Sequence, residues 1–125
     1  MSSLDLQKAI VTLLDGVLSC PVYDDVPDDA QYPYVVVDAD LVSNSRALDQ
    51  YRETVMVYLS IWSDYAGRKE VKQIADTIRT ATENTCPAMD SGVCENLRFE
   101  RVTTSKDVDG TTYTGRVTLR AIIRP

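Results

Sequence analysis

Hydrophobic and polar positions alternate along the chain with two periods, and the change of period predicts the secondary structure. From Leu6 to Leu18 apolar residues recur every three or four positions, which predicts a first helix that ends before Pro21. A second stripe of this period begins after Gly67 and fades before Pro87, which predicts a second helix.

Four stretches are predicted as strands, the first from its nearly continuous apolar start and the long second one from its clear period of two. They are YVVVDADLV, the long stretch from Arg52 to Ser63, CENLRFERVTT, and the last stretch from Tyr113 to Ile123. The polar residues SNSRALDQ separate the first two, and the sequence DVDG supplies a turn between the last two. The order helix, strand, strand, helix, strand, strand predicts one α+β domain over residues 1–125, with two helices packed on a largely antiparallel sheet.

The long stretch from Arg52 to Ser63 would extend over about 35–40 Å at ~3.3 Å per residue, which is longer than a common strand. A core of this size does not cover such a strand completely. We expect part of this hairpin to project beyond the globule, or one of its faces to meet another chain.

The segment PVYDDVPDDAQYP contains three prolines and predicts an ordered but irregular loop. The segment contains four aspartates within six residues: Asp24, Asp25, Asp28 and Asp29. They form a solvated loop, a negative patch that faces a basic partner or a DNA channel, or a divalent-metal cluster.

Three arginines of the last strand, Arg116, Arg120 and Arg124, recur every fourth residue. This spacing places them on one strand face at intervals of about 13 Å. They line either a solvent-exposed face or a row of cations that meets the acidic loops of a neighbouring subunit and sets partner choice.

Trp62 is the only tryptophan and ends the long strand, where it is either a lid on the core or an interface anchor. Arg68 and Lys69 begin the second helix and lie off its apolar stripe. We therefore expect their side chains on the surface.

Composition and charge narrow the class of protein. The chain has 125 residues, 44% of them apolar and 26% charged, which is typical of a globular protein. Its formal net charge of −6 argues against non-specific attraction to nucleic acid, but not against a surface past which DNA slides. The N-terminus has no basic segment before its apolar run, so we expect neither a signal peptide nor a membrane span, and a cytoplasmic protein where it is made.

The sequence contains few of the residues and motifs that support catalysis. It has no histidine and neither a G-x-S-x-G nor a P-loop sequence, so we expect no enzyme, no cofactor and no bound metal. DVDG lacks the further acidic residues of a calcium loop. In the cytosol Cys20, Cys86 and Cys94 are expected to be free thiols, although CPAMDSGVC could also close a disulfide loop or mark half of a metal site.

Three stretches together resemble one family. VYDDVPDDAQYPYVVV resembles its loop and first strand, IWSDYAGRKEVKQIADTIRTA its strand-to-helix joint, and LRFERVTTSKDVDGTTYTGRVTLRAII its final hairpin. The family is the tail terminator, or tail-completion, proteins of long-tailed bacteriophages and prophage-derived particles. The resemblance covers nearly the whole chain in the right order.

The resemblance implies a subunit of a six-membered ring at the head-proximal end of a virion tail, assembled in the bacterial host cytoplasm. The ring would cap the tail tube, end its polymerisation and join the tail to the head-neck connector, while DNA passes through it without specific binding. The partners would then be further copies of the chain, the tail tube protein and the connector protein. By position, Trp62, Ser63, Gly67 and Arg68 match the joint, and Tyr23, Asp24, Val26 and Pro27 match the loop.

Two other functions remain open from the sequence. One is a neck or head-completion connector of the same virion, and the other is a small acidic module that binds a basic protein. If the chain is a tail terminator, its subunit or partner interface includes the four loop aspartates, the tryptophan, the two cations that begin the second helix and the three-arginine row.

Overall fold

The computed structural model describes residues 2–47, 50–83 and 85–124, and it confirms the predicted α+β class and order of the main elements. One short strand, β1, was not predicted. The elements are α1 (Ser2–Asp15), β1 (Val22–Tyr23), β2 (Tyr34–Ala47), β3 (Gln50–Ser63), α2 (Lys69–Thr82), β4 (Val93–Lys106) and β5 (Tyr113–Arg124).

The strands form one sheet in the order β1-β2-β3-β5-β4. Only β1 and β2 pair in parallel, and the other neighbours are antiparallel, as the sequence predicts for most of the sheet. Helix α2 links β3 to β4, and β5 then inserts between them. The acidic segment between β1 and β2 consequently lies at one edge of the sheet, and β4 lies at the other.

Strand β1 corrects the prediction that the whole segment from residue 21 to 33 is irregular. Val22 and Tyr23 pair with Val35 and Val36 of β2. A two-residue strand is too short to show a period, so its alternation was not visible in the sequence.

The β2–β3 hairpin is longer than predicted, because β2 runs on to Ala47 through residues read as a polar connection. Leu48 and Asp49 of that connection lie outside the described residues. The β2–β3 ladder continues to the pair Ala47 and Gln50, whereas the pairing of β3 with β5 begins only at Glu53. Residues 44–47 and 50–52 therefore form an arm whose strands pair only with each other, in agreement with the expected projecting hairpin.

Both helices pack on one face of the sheet, which we call the inner face; the opposite face is the outer face. Helix α1 contributes Leu6, Ile10 and Leu14 to the core, and α2 contributes Val71, Ala75 and Ile78. The sheet meets them with buried residues at alternate positions: Val35, Val37, Val55, Val57, Leu59, Ile61, Leu97, Val117, Leu119, Ala121 and Ile123. Neither helix is long and apolar enough to span a membrane in the described ranges.

Three register shifts decide which side chains reach which face. They fall between Val37 and Ala39 in β2, and in β4 between Cys94 and Asn96 and between Phe99 and Arg101. Each inserts one extra residue into its strand and reverses the alternation beyond it. The shift at Glu100 places Phe99 opposite Leu119 on the inner face and Arg98 opposite Arg120 on the outer face.

Candidate assembly surfaces

The outer face of β4 and β5 carries five arginines. The spacing of the β5 row is confirmed, because Arg116, Arg120 and Arg124 alternate with the buried core residues of that strand. Strand β4 adds Arg98 opposite Arg120 and Arg101 opposite Thr118. We call these five residues the outer arginine surface: Arg98, Arg101, Arg116, Arg120 and Arg124.

Arg116 is neutralised within its own chain. Its Nη1 donates to Asp38 Oδ2 at 3.1 Å and to the Ser60 hydroxyl, which itself donates to Asp38. The guanidinium carbon lies 5.9 Å from the centre of the Trp62 ring, close enough for a cation–π contact. Asp38 is the extra residue of the β2 register shift.

Trp62 lies on the outer face between Tyr34 and Thr114, and it is half-buried. It is not part of the core beneath the helices, so the lid reading is not what the structure shows. The indole ring of Trp62 lies against the Arg116 guanidinium instead. Its role as an interface anchor stays a prediction.

Arg98 and Arg120 present the opposite situation to Arg116. They sit directly across from each other on neighbouring strands, and within the described ranges neither makes a hydrogen bond or an ion pair. Side chains in such a pair have Cβ atoms about 4.5–5.5 Å apart, and two like charges there destabilise the sheet. Among the outer-face residues, this pair would gain most from a bound anion, because an anion would offset the repulsion between the two arginines.

The acidic loop is the segment from Asp24 to Asp29, and its four aspartates are exposed. Asp24 accepts a hydrogen bond of 2.7 Å from Gln7 Nε2 of α1. Asp25, Asp28 and Asp29 have no hydrogen-bond or ion-pair partner among the residues that the structure describes. In that same part of the chain no group of three or more acidic or cysteine residues is arranged to hold a metal ion.

The acidic loop is held at its base. The amide of Ala30 donates to the carbonyl of Pro27 at 3.0 Å. The Tyr34 ring stacks on Tyr32 at 5.4 Å between centroids and meets the edge of Tyr23 at 5.8 Å. Burial raises the pKa of Tyr34. These contacts fix the loop at the β1 edge of the sheet.

The joint between β3 and α2 is also ordered by side chains. The Ser63 hydroxyl, fully buried, donates to Glu70 at 2.6 Å and accepts from the amide of Tyr65 at 3.1 Å. Gly67 adopts a φ of 93°, which favours glycine, and lets the chain turn into the helix. These contacts tie the start of α2 to the end of the long strand.

The two cations at this joint form a separate basic region. The Arg68 guanidinium lies 5.8 Å from the centre of the Tyr113 ring, and the Lys106 ammonium lies 5.9 Å from the same ring. Lys69 is exposed beside them in sequence. The structure places this region at the first residues of β5, so it does not join Arg120 near the other end of that strand.

Two features of the described residues concern chemical reactivity, namely the thiols and the groove beside α1. The thiols are all free, and burial raises the pKa of Cys94 to about 11, which leaves that thiol protonated at neutral pH. A groove of about 360 Å³ between α1 and residues 87–90 is lined mainly by alkyl groups. Lys8 at its rim pairs with Asp90 at 2.8 Å, and this hydrogen bond raises the pKa of the lysine.

Comparison with known proteins decides the family. The model of the family of tail completion protein gp17 matches residues 4–124, nearly the whole chain. The chain belongs to this family. As a tail completion protein it is a structural component of a virion tail and not an enzyme, which confirms the resemblance read from the sequence.

Solved structures agree on the fold of this tail completion protein. A chain in the virion of a native gene transfer agent particle is similar with a TM-score of 0.88 and 19% identity, over 99% of this chain and 98% of that one. A second solved chain reaches a TM-score of 0.58 at 11% identity, over 98% and 93% of the two chains. No curated protein sequence matches significantly.

The sequence reading missed Arg98, Arg101 and Asp38 on the outer face. Regular alternation from the β4–β5 turn would set Phe99, not Arg98, opposite Arg120. The signal was present in the odd spacing of apolar residues, since Phe99 and Val102 lie three positions apart although a strand repeats every two. Val37 and Val42, five apart, mark the shift near Asp38 in the same way.

Proposed function

We propose that this tail completion protein is the tail terminator, which forms a six-membered ring on the end of the tail tube. The ring ends polymerisation of the tube and gives the head-neck connector a surface to join. The family membership and the two-surface charge distribution support this function.

The observation that carries the proposal is the separation of charge across the sheet. The acidic loop adjoins β1 at one edge, and the outer arginine surface lies on β5 and β4 at the other. A surface that meets a different surface on the next copy generates a ring when the rotation closes. Opposite charges at opposite edges fit such a contact and set its register.

The remaining predicted interface residues have places in this ring. Trp62 on the outer face would contact the neighbouring copy beside Arg116. Arg68 and Lys69, held by the joint, would face the tail tube or the connector together with the projecting arm. The net charge of −6 suits a channel through which DNA passes without binding.

Ring formation, tail length and binding to tail tubes test the function. Native mass measurement and negative-stain microscopy of the purified protein are expected to show closed rings. Particles made without the protein are expected to have tails of irregular, mostly excessive length, and the added protein is expected to bind isolated tail tubes. A chain that stays monomeric with tubes present, or that copurifies with filled heads and not with tubes, would contradict the terminator role, the latter in favour of a neck connector.

A further inference from the structure

We infer that Arg98 and Arg120 form the socket for the acidic loop of the next copy, with Asp28 and Asp29 as the carboxylates that enter it. This contact rests on the proposed ring and names the residues that close it. It differs from the sequence reading, in which the row Arg116, Arg120 and Arg124 met the loop.

The socket is chosen by the pairing of β4 with β5. Arg98 and Arg120 stand side by side, and neither has an ion-pair partner in the described part of the chain. A carboxylate placed between two guanidinium groups removes their repulsion and accepts charge-assisted hydrogen bonds from both. Arg98 is exposed and Arg120 half-buried, so a loop can reach them from solvent.

Arg116 is left out of the socket because it already has its anion. Asp38 pairs with it at 3.1 Å, Ser60 bonds to both, and the Trp62 ring centre lies 5.9 Å from the guanidinium carbon. A second carboxylate there would meet the charge of Asp38. The internal cluster therefore separates Arg116, which is paired within its own chain, from Arg120, which is not.

The acidic loop of a second copy is the occupant that charge and position favour. Asp28 and Asp29 are exposed and have no partner among the described residues. The loop adjoins β1, and β1 is three strand spacings, about 14 Å, from β5. Its carboxylates lie too far across the sheet for an ion pair with the same chain's socket. Because the tyrosine stack already orders the loop base, docking loses little conformational freedom.

The first test removes the positive charges of the socket while the fold of the chain stays the same. Arg98→Gln with Arg120→Gln lowers the formal net charge by two, and the matched control Lys72→Glu on the helix side does the same. We expect the double variant to need at least a tenfold higher concentration than the wild type to form rings, and Lys72→Glu to assemble like the wild type. Thermal unfolding of the dilute monomers confirms that all variants fold.

The loop is tested in the same way. Asp28→Asn with Asp29→Asn is expected to raise the assembly concentration as much as the socket variant. Glu83→Lys, at an exposed position after α2, raises the net charge by the same two units and is expected to leave assembly unchanged. Equal assembly of the loop variant and its control would overturn the inference.

A charge exchange then tests the pairing itself. Arg98→Glu with Arg120→Glu, and separately Asp28→Lys with Asp29→Lys, are each expected to abolish rings. Mixed in equal amounts, the two variants are expected to restore rings of alternating copies, since every contact again joins opposite charges. If the wild type forms rings but the mixture does not recover them, only the inferred socket is overturned. If the wild type itself forms no ring, the proposed function is overturned as well. Loss of DNA binding by a socket variant that still assembles would assign the arginines to nucleic acid and also overturn the inference.

Discussion

Ile122 and Ile123 are neighbours in β5, yet they belong to opposite sides of the sheet. Ile123 is fully buried in the core opposite Cys94, whereas Ile122 is only half-buried on the outer face opposite Asn96. The two side chains have the same chemistry, so the difference in their surroundings isolates what each face does. The inner face holds the fold together, and the outer face is the one that we propose presents residues to another chain.

The contrast extends along the whole strand. Val117, Leu119 and Ala121 on the inner face are 1% exposed or less. Between them the outer face has Thr118 and Arg120, and no helix covers that side in the described ranges. Core residues and the residues that we propose for assembly therefore occupy alternate positions of one strand.

The largest effect is expected from the inner member of the isoleucine pair. Ile123→Ala should lower the free energy of unfolding by about 2–5 kcal/mol, because it removes buried methyl groups and leaves a cavity. Ile122→Ala should cost less than about 1.5 kcal/mol, since its side chain is still partly in water. Denaturant unfolding of the dilute monomer measures both. Equal losses would break the distinction between the two faces.

Gly115 offers a sharper test of the inner face. A Cβ atom at this position would lie 2.6 Å from Val71 Cγ1, because α2 crosses β5 there. Gly115→Ala should therefore destabilise the monomer by about 1–3 kcal/mol through overpacking.

Val71→Ala in the same chain creates room for the added methyl group. The double variant should then be less destabilised than the sum of the two single variants, as measured by a double-mutant cycle. Strict additivity would show that the close approach of α2 does not limit this position.

A smaller effect is expected from the cluster around Arg116 on the outer face. The side chains of Arg116 and Asp38 are 58% and 36% exposed, so water screens their ion pair. In a cycle of Asp38→Asn and Arg116→Gln, we expect a coupling free energy of about 0.2–1 kcal/mol. A coupling as large as the effect of Ile123→Ala would mean that the outer face also carries the fold.

The smallest effect on monomer stability is expected at the socket. Arg98→Gln with Arg120→Gln should leave the free energy of unfolding unchanged or raise it by up to ~1 kcal/mol, because it relieves repulsion between like charges. Chemical unfolding below the assembly concentration measures this. A clear loss of stability would show that the pair serves the fold of its own chain and not a partner.

Regular periods made most of the fold predictable from the sequence. The apolar stripe of α2 and the alternation of β3 are long enough to fix element type and the buried side. The spacing of the β5 arginines also fixed their common face. None of these inferences needed knowledge of a second strand.

The features that the sequence reading missed all depend on pairing between strands. Strand β1 exists only because Val22 and Tyr23 meet β2, and two residues carry no period. The register of β2 brings Asp38 to Arg116, and the register of β4 sets Arg98 opposite Arg120. Local alternation cannot fix such a register where an extra residue interrupts it, and so the division of the arginine row became visible only in the structure.

The register shift at Glu100 has a consequence for how this strand tolerates change. Removing Glu100 would restore uninterrupted pairing from the turn and leave Phe99 opposite Leu119 and Arg98 opposite Arg120, so every side chain would keep its face. Regular pairing with Glu100 retained would instead turn Phe99 to the outer face and place Arg98 beneath the helices. Strand β4 can therefore lose this one residue with both faces intact, but it cannot keep the residue and become a regular strand without exchanging its faces.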